Sequence, residues 1–290
     1  MILNALQRLH KNSIRVTDIA SQYWCEKQME LNYIVGPKIT AEIKKGLAMH
    51  QDLEKESNVP VILQPKSYSD VMYKILYTNC VAIDTLKENK RSREIAIYGS
   101  ANGYKMVGKI DELELRNGEV AVFEDKTRAT DKVPSEPQMK THKIQVMVYR
   151  KMLSDIVDGK YDEKNFRRSY DTQKLKITDE FKRQLAAIEV DKSMMTVDAV
   201  ADMFFDKCRR MGKIGNTLYL RYINQFTGKV VKLHKFEYSE SEFDSTMEFS
   251  LRYWNGEREA LPVPYEEKWK CQFCAFFGKE CKVWWPQQKL

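Results

Sequence analysis

Residues 108–128 read GKIDELELRNGEVAVFEDKTR, and the rest of the chain is best understood around them. They form a β-hairpin: two runs of strand-forming residues flank Asn117-Gly118, a dipeptide suited to the left-handed conformations of a tight turn. In the second arm, Val120 to Phe123 is apolar on both faces, which predicts an interior strand. Glu124 and Lys126 end that strand two residues apart, so they share a face. Asp111 on the first arm is placed opposite them. A surface hairpin with a cross-strand ion pair gives the same spacing, but charges at the end of an interior strand are costly without a task. Hard carboxylate oxygens suit Mg²⁺ or Mn²⁺. Such an ion can activate water and stabilise a phosphodiester under attack. Lys126 would hold the water or neutralise the phosphate.

A helix is expected over 136–157, where Ile144, Val148 and Met152 recur at helical spacing and Gln145 and Tyr149 share a face one turn apart. Residues 16–57 read as helical, with Thr17 capping a first helix. A second runs through TAEIKKGLAMHQDLEKE, residues 40–56, with Gly46 and His50 on one face. Residues 58–107 carry mixed signals. VPVILQP, residues 59–65, reads as a strand bounded by prolines, and residues 89–108 as two strands turning at Asn102-Gly103. Residues 158–216 read as mostly helical. A hairpin over 217–238 turns at Thr227-Gly228, and a helix over 240–254 precedes a cysteine-rich tail. The pattern predicts one α/β body whose ends return to each other.

With 290 residues, 43% of them apolar, the chain can bury a substantial core. Mean hydropathy is −0.56 and no apolar run reaches membrane-spanning length, so no membrane partner is expected. The first residues, MILNALQRLHKNSIRV, are too interrupted for a signal peptide, and an intracellular setting is expected: cytoplasmic, or nuclear or organellar in a eukaryote. The net charge of +7 is compatible with a polyanion partner without establishing one.

Three of the six cysteines, Cys271, Cys274 and Cys281, crowd into the tail. An intracellular chain of this size has no need of disulfides. A tetrahedral metal site or a cubane cluster takes four thiolates, so zinc and iron–sulfur both suit the pattern. Cys25 is the best fourth ligand. Cys80 and Cys208, the alternatives, sit in apolar segments and read as core. Trp269, Phe273, Phe276, Phe277, Trp284 and Trp285 would shield a cluster or serve as core.

Taken in order, Gly-x3-His (46–50), Gly-x2-Asp (108–111), Glu-x-Lys (124–126) and Gln-x3-Tyr (145–149) resemble the RecB-like branch of the PD-(D/E)XK nucleases. One cysteine before this core and three after it resemble the iron–sulfur members. Two families share that arrangement: exonuclease V and the CRISPR-adaptation nuclease that trims prespacers. Lys126-Thr127-Arg128, Val133-Pro134-Ser135, Lys143 with Gln145 and Tyr149, and the Tyr219–Tyr238 hairpin are similar to exonuclease V. So are the final blocks, Tyr253 to Ala260 and Glu266-Glu267-x-Trp269-Lys270-Cys271. The likeness covers nearly the whole chain. It departs in one place: six residues separate the last two cysteines where the family usually has five.

The resemblance implies one RecB-like nuclease domain over 1–290, with a mixed central sheet flanked by helices and an added helical region. Cys25 and the 271–281 segment would form an iron–sulfur unit joining the two ends. It implies a metal-dependent single-stranded DNA exonuclease serving repair or replication intermediates, with a single-strand-binding protein as candidate partner. By motif position, His50, Asp111 and Glu124 would bind Mg²⁺ or Mn²⁺, assisted by the Asp125 carbonyl. Lys126 would act on water or transition state, and Gln145 and Tyr149 would support the site and contact substrate. Cys25, Cys271, Cys274 and Cys281 would hold a [4Fe-4S] cluster. Candidate phosphate contacts are Arg128, Lys140, Lys143 and Arg150. A rival of another class is a non-catalytic, zinc-stapled nucleic-acid binder.

Overall fold

The computed structural model describes residues 4–57 and 62–283. Trp284 and Trp285 lie outside the described residues. A short helix α1, Ala5–Arg8, leads to β1, Ile14–Arg15, and then to α2, Val16–Ile34. The cap of α2 is Arg15, not Thr17: the Asp18 carboxylate accepts from the Arg15 N–H at 2.8 Å, which moves the helix start two residues upstream of the expected cap. Next come α3, Ala41–Ser57, and α4, Tyr68–Asn89. Residues 62–65 belong to no strand, contrary to expectation, and 59–61 lie outside the described residues. Side chains tie this segment down in place of a ladder. Lys74 Nζ donates to the Leu63 carbonyl at 2.6 Å, and the Gln64 N–H donates to Gln184 Oε1 at 2.8 Å. The α4 helix was hidden in the mixed signals of 58–107. Its start is a capping box in which Ser67 Oγ and the Asp70 carboxylate each accept the other residue's backbone N–H at 3.1 Å.

Strands β2 (Arg91–Ala101), β3 (Tyr104–Arg116) and β4 (Glu119–Arg128) follow as an antiparallel meander. Asn102-Gly103 and Asn117-Gly118 make the turns, all four with positive φ. The α5 helix, Glu136–Val157, crosses back over the sheet. Helices α6 (Glu163–Tyr170), α7 (Asp179–Ala187) and α8 (Val197–Arg209) precede β5 (Ile214–Asn224) and β6 (Val230–Glu237). Last comes α9, Glu240–Trp254. β5 pairs parallel to β4, so the sheet is mixed and the fold is α/β, with helices packed on it. The interior placement of β4, between β3 and β5, explains why Val120, Val122 and Phe123 are buried.

One topological feature positions the site. Along one edge β3 pairs with β2, with a gap in the ladder at Glu94. Along the other, Met106 and Val107 pair with β1 while Glu112 to Arg116 pair with β4. Between those two partners the sheet forks, and Gly108 to Asp111 line the fork.

The chain ends meet through a buried polar network. Gln22 on α2 accepts from Trp254 Nε1 at 3.0 Å and donates to Glu26 at 2.9 Å, and Glu26 is gripped by the Arg258 guanidinium. Tyr253 donates to Glu30 at 3.1 Å. These contacts dock α2 against α9 and the tail.

Candidate active site

The fork opens into a cavity of about 730 Å³ lined by residues from α2, α3, β2, β3, β4 and α5. Asp111 stands where β4 parts from β3, and its Oδ2 accepts the Asp125 N–H at 2.8 Å. The carboxylate thus satisfies a strand N–H just where the β3–β4 ladder ends. Glu124 lies on the adjacent strand, deeply buried. Lys126 Nζ donates to Glu124 Oε1 at 2.5 Å and to Gln145 Oε1 at 2.9 Å, and Gln145 Nε2 donates to Tyr149 Oη at 3.2 Å. Asp111, Glu124, Lys126, Gln145 and Tyr149 therefore meet at one spot.

His50 arrives from the other side. Its Nδ1 lies 3.8 Å from Asp111 Oδ1 and 3.4 Å from Glu94 Oε1. Two close approaches make the arrangement possible. A Cβ on Gly46 would fall 2.7 Å from Thr127 Oγ1, so glycine lets α3 lie against β4 and deliver His50 one turn on. A Cβ on Gly108 would fall 2.5 Å from Tyr149 Cε1 and 2.8 Å from Val16 Cγ2. The glycines of both motifs are thus steric requirements of the site.

Glu94 is the residue that sequence reading missed. It sits within β2 yet adopts a left-handed φ of 56°, uncommon for a non-glycine residue. It is paired with Lys109 and touches His50, so that His50, Glu94 and Asp111 offer a compact donor set for a cation. Nothing in the run Ser92-Arg93-Glu94-Ile95 marks this, because the cause is the fork next door.

Electrostatics favour an added cation. Burial, and then the neighbouring Asp111, push the Glu124 carboxyl up to about 8. Burial likewise raises Asp111, against the pull of His50 and Lys126. Glu124 Oε2 is buried with no hydrogen-bond partner among the described residues. Burial alone would lower Lys126, but Glu124 and Asp111 outweigh it and hold the amine above its ordinary value. The Glu94 contact raises His50, against its burial.

Asp125 faces the cavity with its backbone, while its carboxylate is committed elsewhere. It accepts from Arg221 Nε at 2.8 Å and from Arg93 Nη2 at 2.7 Å, and Glu112 completes the buried ionic cluster. That carboxylate is therefore not free to take a metal. Arg128, Lys140, Lys143 and Arg150 do not line the cavity. Arg150 bonds Asn216 at 2.8 Å and lies over the Tyr238 ring, Lys143 lies over Phe236, and Lys140 over Tyr23.

The thiols converge in a separate chamber. Cys25, Cys271, Cys274 and Cys281 all line it, together with Trp24 and Lys270. α2 breaks at Cys25, whose backbone is extended within the helix. The break releases helical carbonyls, and the Trp24 carbonyl accepts from the buried Lys270 at 3.4 Å. All four thiols are free. Burial raises Cys25 and lifts Cys271 to about 11, and the neighbouring thiols add to both. Cys80 and Cys208 are buried elsewhere, beside each other. Trp269 packs edge-on against Trp24 and Phe273. Among the described residues no helix is long and apolar enough to cross a membrane.

The chain is similar to known proteins along most of its length. A family model described as "Exonuclease V - a 5' deoxyribonuclease" matches residues 2–122, 116–210 and 201–285. The protein named Exonuclease V of Danio rerio is 25% identical over 289 residues, 93% of this chain and 70% of that protein. Exonuclease V, mitochondrial, of Candida dubliniensis is 36% identical over 70 residues, 24% of this chain and 11% of that protein. The crystal structure of SSO0001 aligns over 91% of this chain and 83% of its own, with a TM-score of 0.40 and 16% identity.

Proposed function

The chain belongs to the exonuclease V family and is an exodeoxyribonuclease, and from that premise we propose that it degrades single-stranded DNA from a 5′ end with a divalent cation at the fork of its sheet. The fold is read as a PD-(D/E)XK nuclease core. One observation carries the metal reading: Glu124 Oε2 is buried without a hydrogen-bond partner among the described residues, beside the Asp111 carboxylate. Two close carboxylates raise each other's pKa unless a cation compensates them. His50, Asp111 and Glu124 would hold the ion, assisted by the Asp125 carbonyl; Glu94, whose donor atom lies close to those of His50 and Asp111, stands beside them, and Glu124 and Asp125 line the same cavity.

Bound there, Mg²⁺ or Mn²⁺ supplies Lewis-acid polarisation of the phosphate and a more acidic water. The chain's own groups do the rest. Lys126, held charged by Glu124 and pinned by Gln145, places its ammonium where the phosphate gains negative charge. Tyr149 fixes Gln145, and so fixes Lys126. Asp111 satisfies a strand N–H just where the β3–β4 ladder ends. Arg128, Lys140 and Lys143, at the end of β4 and on α5, are the proposed phosphate contacts beyond the cavity. Arg150 is already held by Asn216 and Tyr238.

The four thiols fit a [4Fe-4S] centre. Burial and the neighbouring thiols favour the protonated form of Cys25 and Cys271, and four convergent thiolates need a metal's charge. The centre would tie α2 to the tail, with Lys270 as a nearby counter-charge. Free cysteines suit a reducing intracellular compartment.

End-labelled single- and double-stranded DNA, incubated with protein purified without oxygen, tests the reading. Release of label from single strands in Mg²⁺ or Mn²⁺, absent in chelator, is expected. Equal degradation in chelator, or none under any condition, contradicts it.

A further inference from the structure

A second cavity, of about 250 Å³, lies between α2 and α5. Ser21 and Trp24 face it from α2 before the break at Cys25, Gln28 and Asn32 from α2 after it, and Gln138 and His142 from α5. The same two helices wall the active-site cavity, through Val16 and Thr17 on one and Gln145 and Tyr149 on the other. Trp24 and Gln28 also line the thiol chamber. The cavity therefore sits between the two centres.

Its chemistry selects a ligand. No carboxylate, lysine or arginine lines it, so neither a cation nor a phosphate is matched. What it offers is an indole, an imidazole and three primary amides, with the Ser21 and Thr141 hydroxyls, Met29 and the thiol Cys25 completing its wall. The side chains of Gln28, Asn32 and Gln138 make no hydrogen bond among the described residues. Each amide presents one acceptor and two donors in a plane, which is the complement of a nucleobase edge. His142 shares a hydrogen bond with the Tyr222 hydroxyl at 3.1 Å. Burial, with Lys126 and Arg128 nearby, depresses it to about 3, so it meets a ligand as a neutral imidazole.

We propose that this cavity is a nucleobase subsite, taking one unpaired base of the bound DNA strand against the Trp24 indole and reading its edge with the amides of Gln28, Asn32 and Gln138. The inference rests on the nuclease reading and deepens it. A base must leave its pair and its stack to enter, so the subsite supplies a preference for single strands. Gln138 precedes Gln145 by two turns, about 10 Å along the helix. At ~3.4 Å per nucleotide of a stacked strand, the base taken lies within about three nucleotides of the scissile bond.

The test is an abasic scan of binding. Fluorescence anisotropy with the wild-type holoprotein, in Ca²⁺ in place of Mg²⁺, measures Kd for single strands that carry one abasic site at successive positions from the 5′ end. One position near that end should weaken binding about tenfold, the loss expected for one stacked base. The double variant Asn32→Ala/Gln138→Ala should weaken binding of the intact strand and lose most of the penalty at that position. A flat profile in the wild type overturns the subsite even if the variant does not fold. A penalty undiminished in a folded variant overturns it too. Cleavage of the same strands in Mg²⁺ is scored separately: failure to cleave any of them sinks the nuclease reading, while the Kd profile still judges the subsite.

Discussion

The backbone N–H of Asp125 donates to the carboxylate of Asp111 at 2.8 Å, across the point where β3 and β4 part. A side chain takes the role of a strand carbonyl there, so one carboxylate both bridges the strands through Oδ2 and offers Oδ1 to His50. This dual role separates two substitutions. Asp111→Asn keeps an acceptor and removes a charge. It should fold with stability equal to the wild type or about 1 kcal/mol higher in the absence of metal, and lose about a thousandfold in cleavage rate. Asp111→Ala should lose the same activity and also about 1 kcal/mol of stability, since the Asp125 N–H is left unpaired. Urea denaturation alongside single-turnover cleavage measures both. Equal stability losses in the two variants would contradict the structural role.

Metal affinity should depend on pH. The Glu124 carboxyl is pushed up to about 8, first by burial and then by Asp111, so below that pH an incoming cation must displace its proton. Apparent affinity for Mn²⁺ should therefore tighten as pH rises toward 8, by up to about tenfold per unit, and level off above it. In Glu124→Gln the slope from this group should vanish and binding should weaken. Calorimetric titration at several pH values reads this, and a flat wild-type profile contradicts it.

The close packing of α3 on β4 makes a paired test. Gly46→Ala brings a Cβ to 2.7 Å from Thr127 Oγ1. It should displace His50 and lower activity about tenfold, a loss of the size that small misplacements of a site cause. The obstacle is a side-chain atom, so Gly46→Ala/Thr127→Ala should recover most of the loss. Additive losses in the double variant would show that the contact is not the cause.

Acid sensitivity should trace partly to His142. Burial lowers it from 6.5 to about 3, so the unfolded chain takes up a proton below about 6.5 that the folded protein refuses. The sign follows: stability falls as pH drops from 6.5 toward 3, by up to about 1.4 kcal/mol per unit for this group. His142→Gln should flatten that slope, as read by urea denaturation at pH values on either side of 6.5. An unchanged slope would contradict the assignment.

The sequence carried the hairpin of β3 and β4, both Asn-Gly turns, the whole of α5 and the meeting of Asp111, Glu124 and Lys126, because alternation and turn chemistry are local, while the place of Gln145 and Tyr149 beside them came from the family resemblance. What stayed hidden depends on distant partners. The parallel pairing of β4 with β5 is made across some 90 residues of chain. Glu94 turns left-handed beside a fork that β1 and β4 create together. The α2 break at Cys25 has no proline or glycine to announce it, since the tail supplies the compensating contacts. The α4 start was legible in principle, in Ser67-x-x-Asp70, but was masked by an apolar run that side chains anchor instead of a ladder.

The thiol chamber separates iron from zinc. Anaerobically purified protein should carry ~4 iron per chain with broad visible absorbance. Cys25→Ser should lower the iron content. Colourless protein with stoichiometric zinc would contradict the cluster.

The central claim is that Asp111 and Glu124 jointly grip one divalent cation with His50. Anomalous diffraction from crystals soaked in Mn²⁺ addresses it without any assay of activity. The expected result is one strong peak within bonding distance of the Asp111, Glu124 and His50 side chains. Manganese bound elsewhere, or a site still empty at saturating metal with Lys126 paired to Glu124, would contradict it.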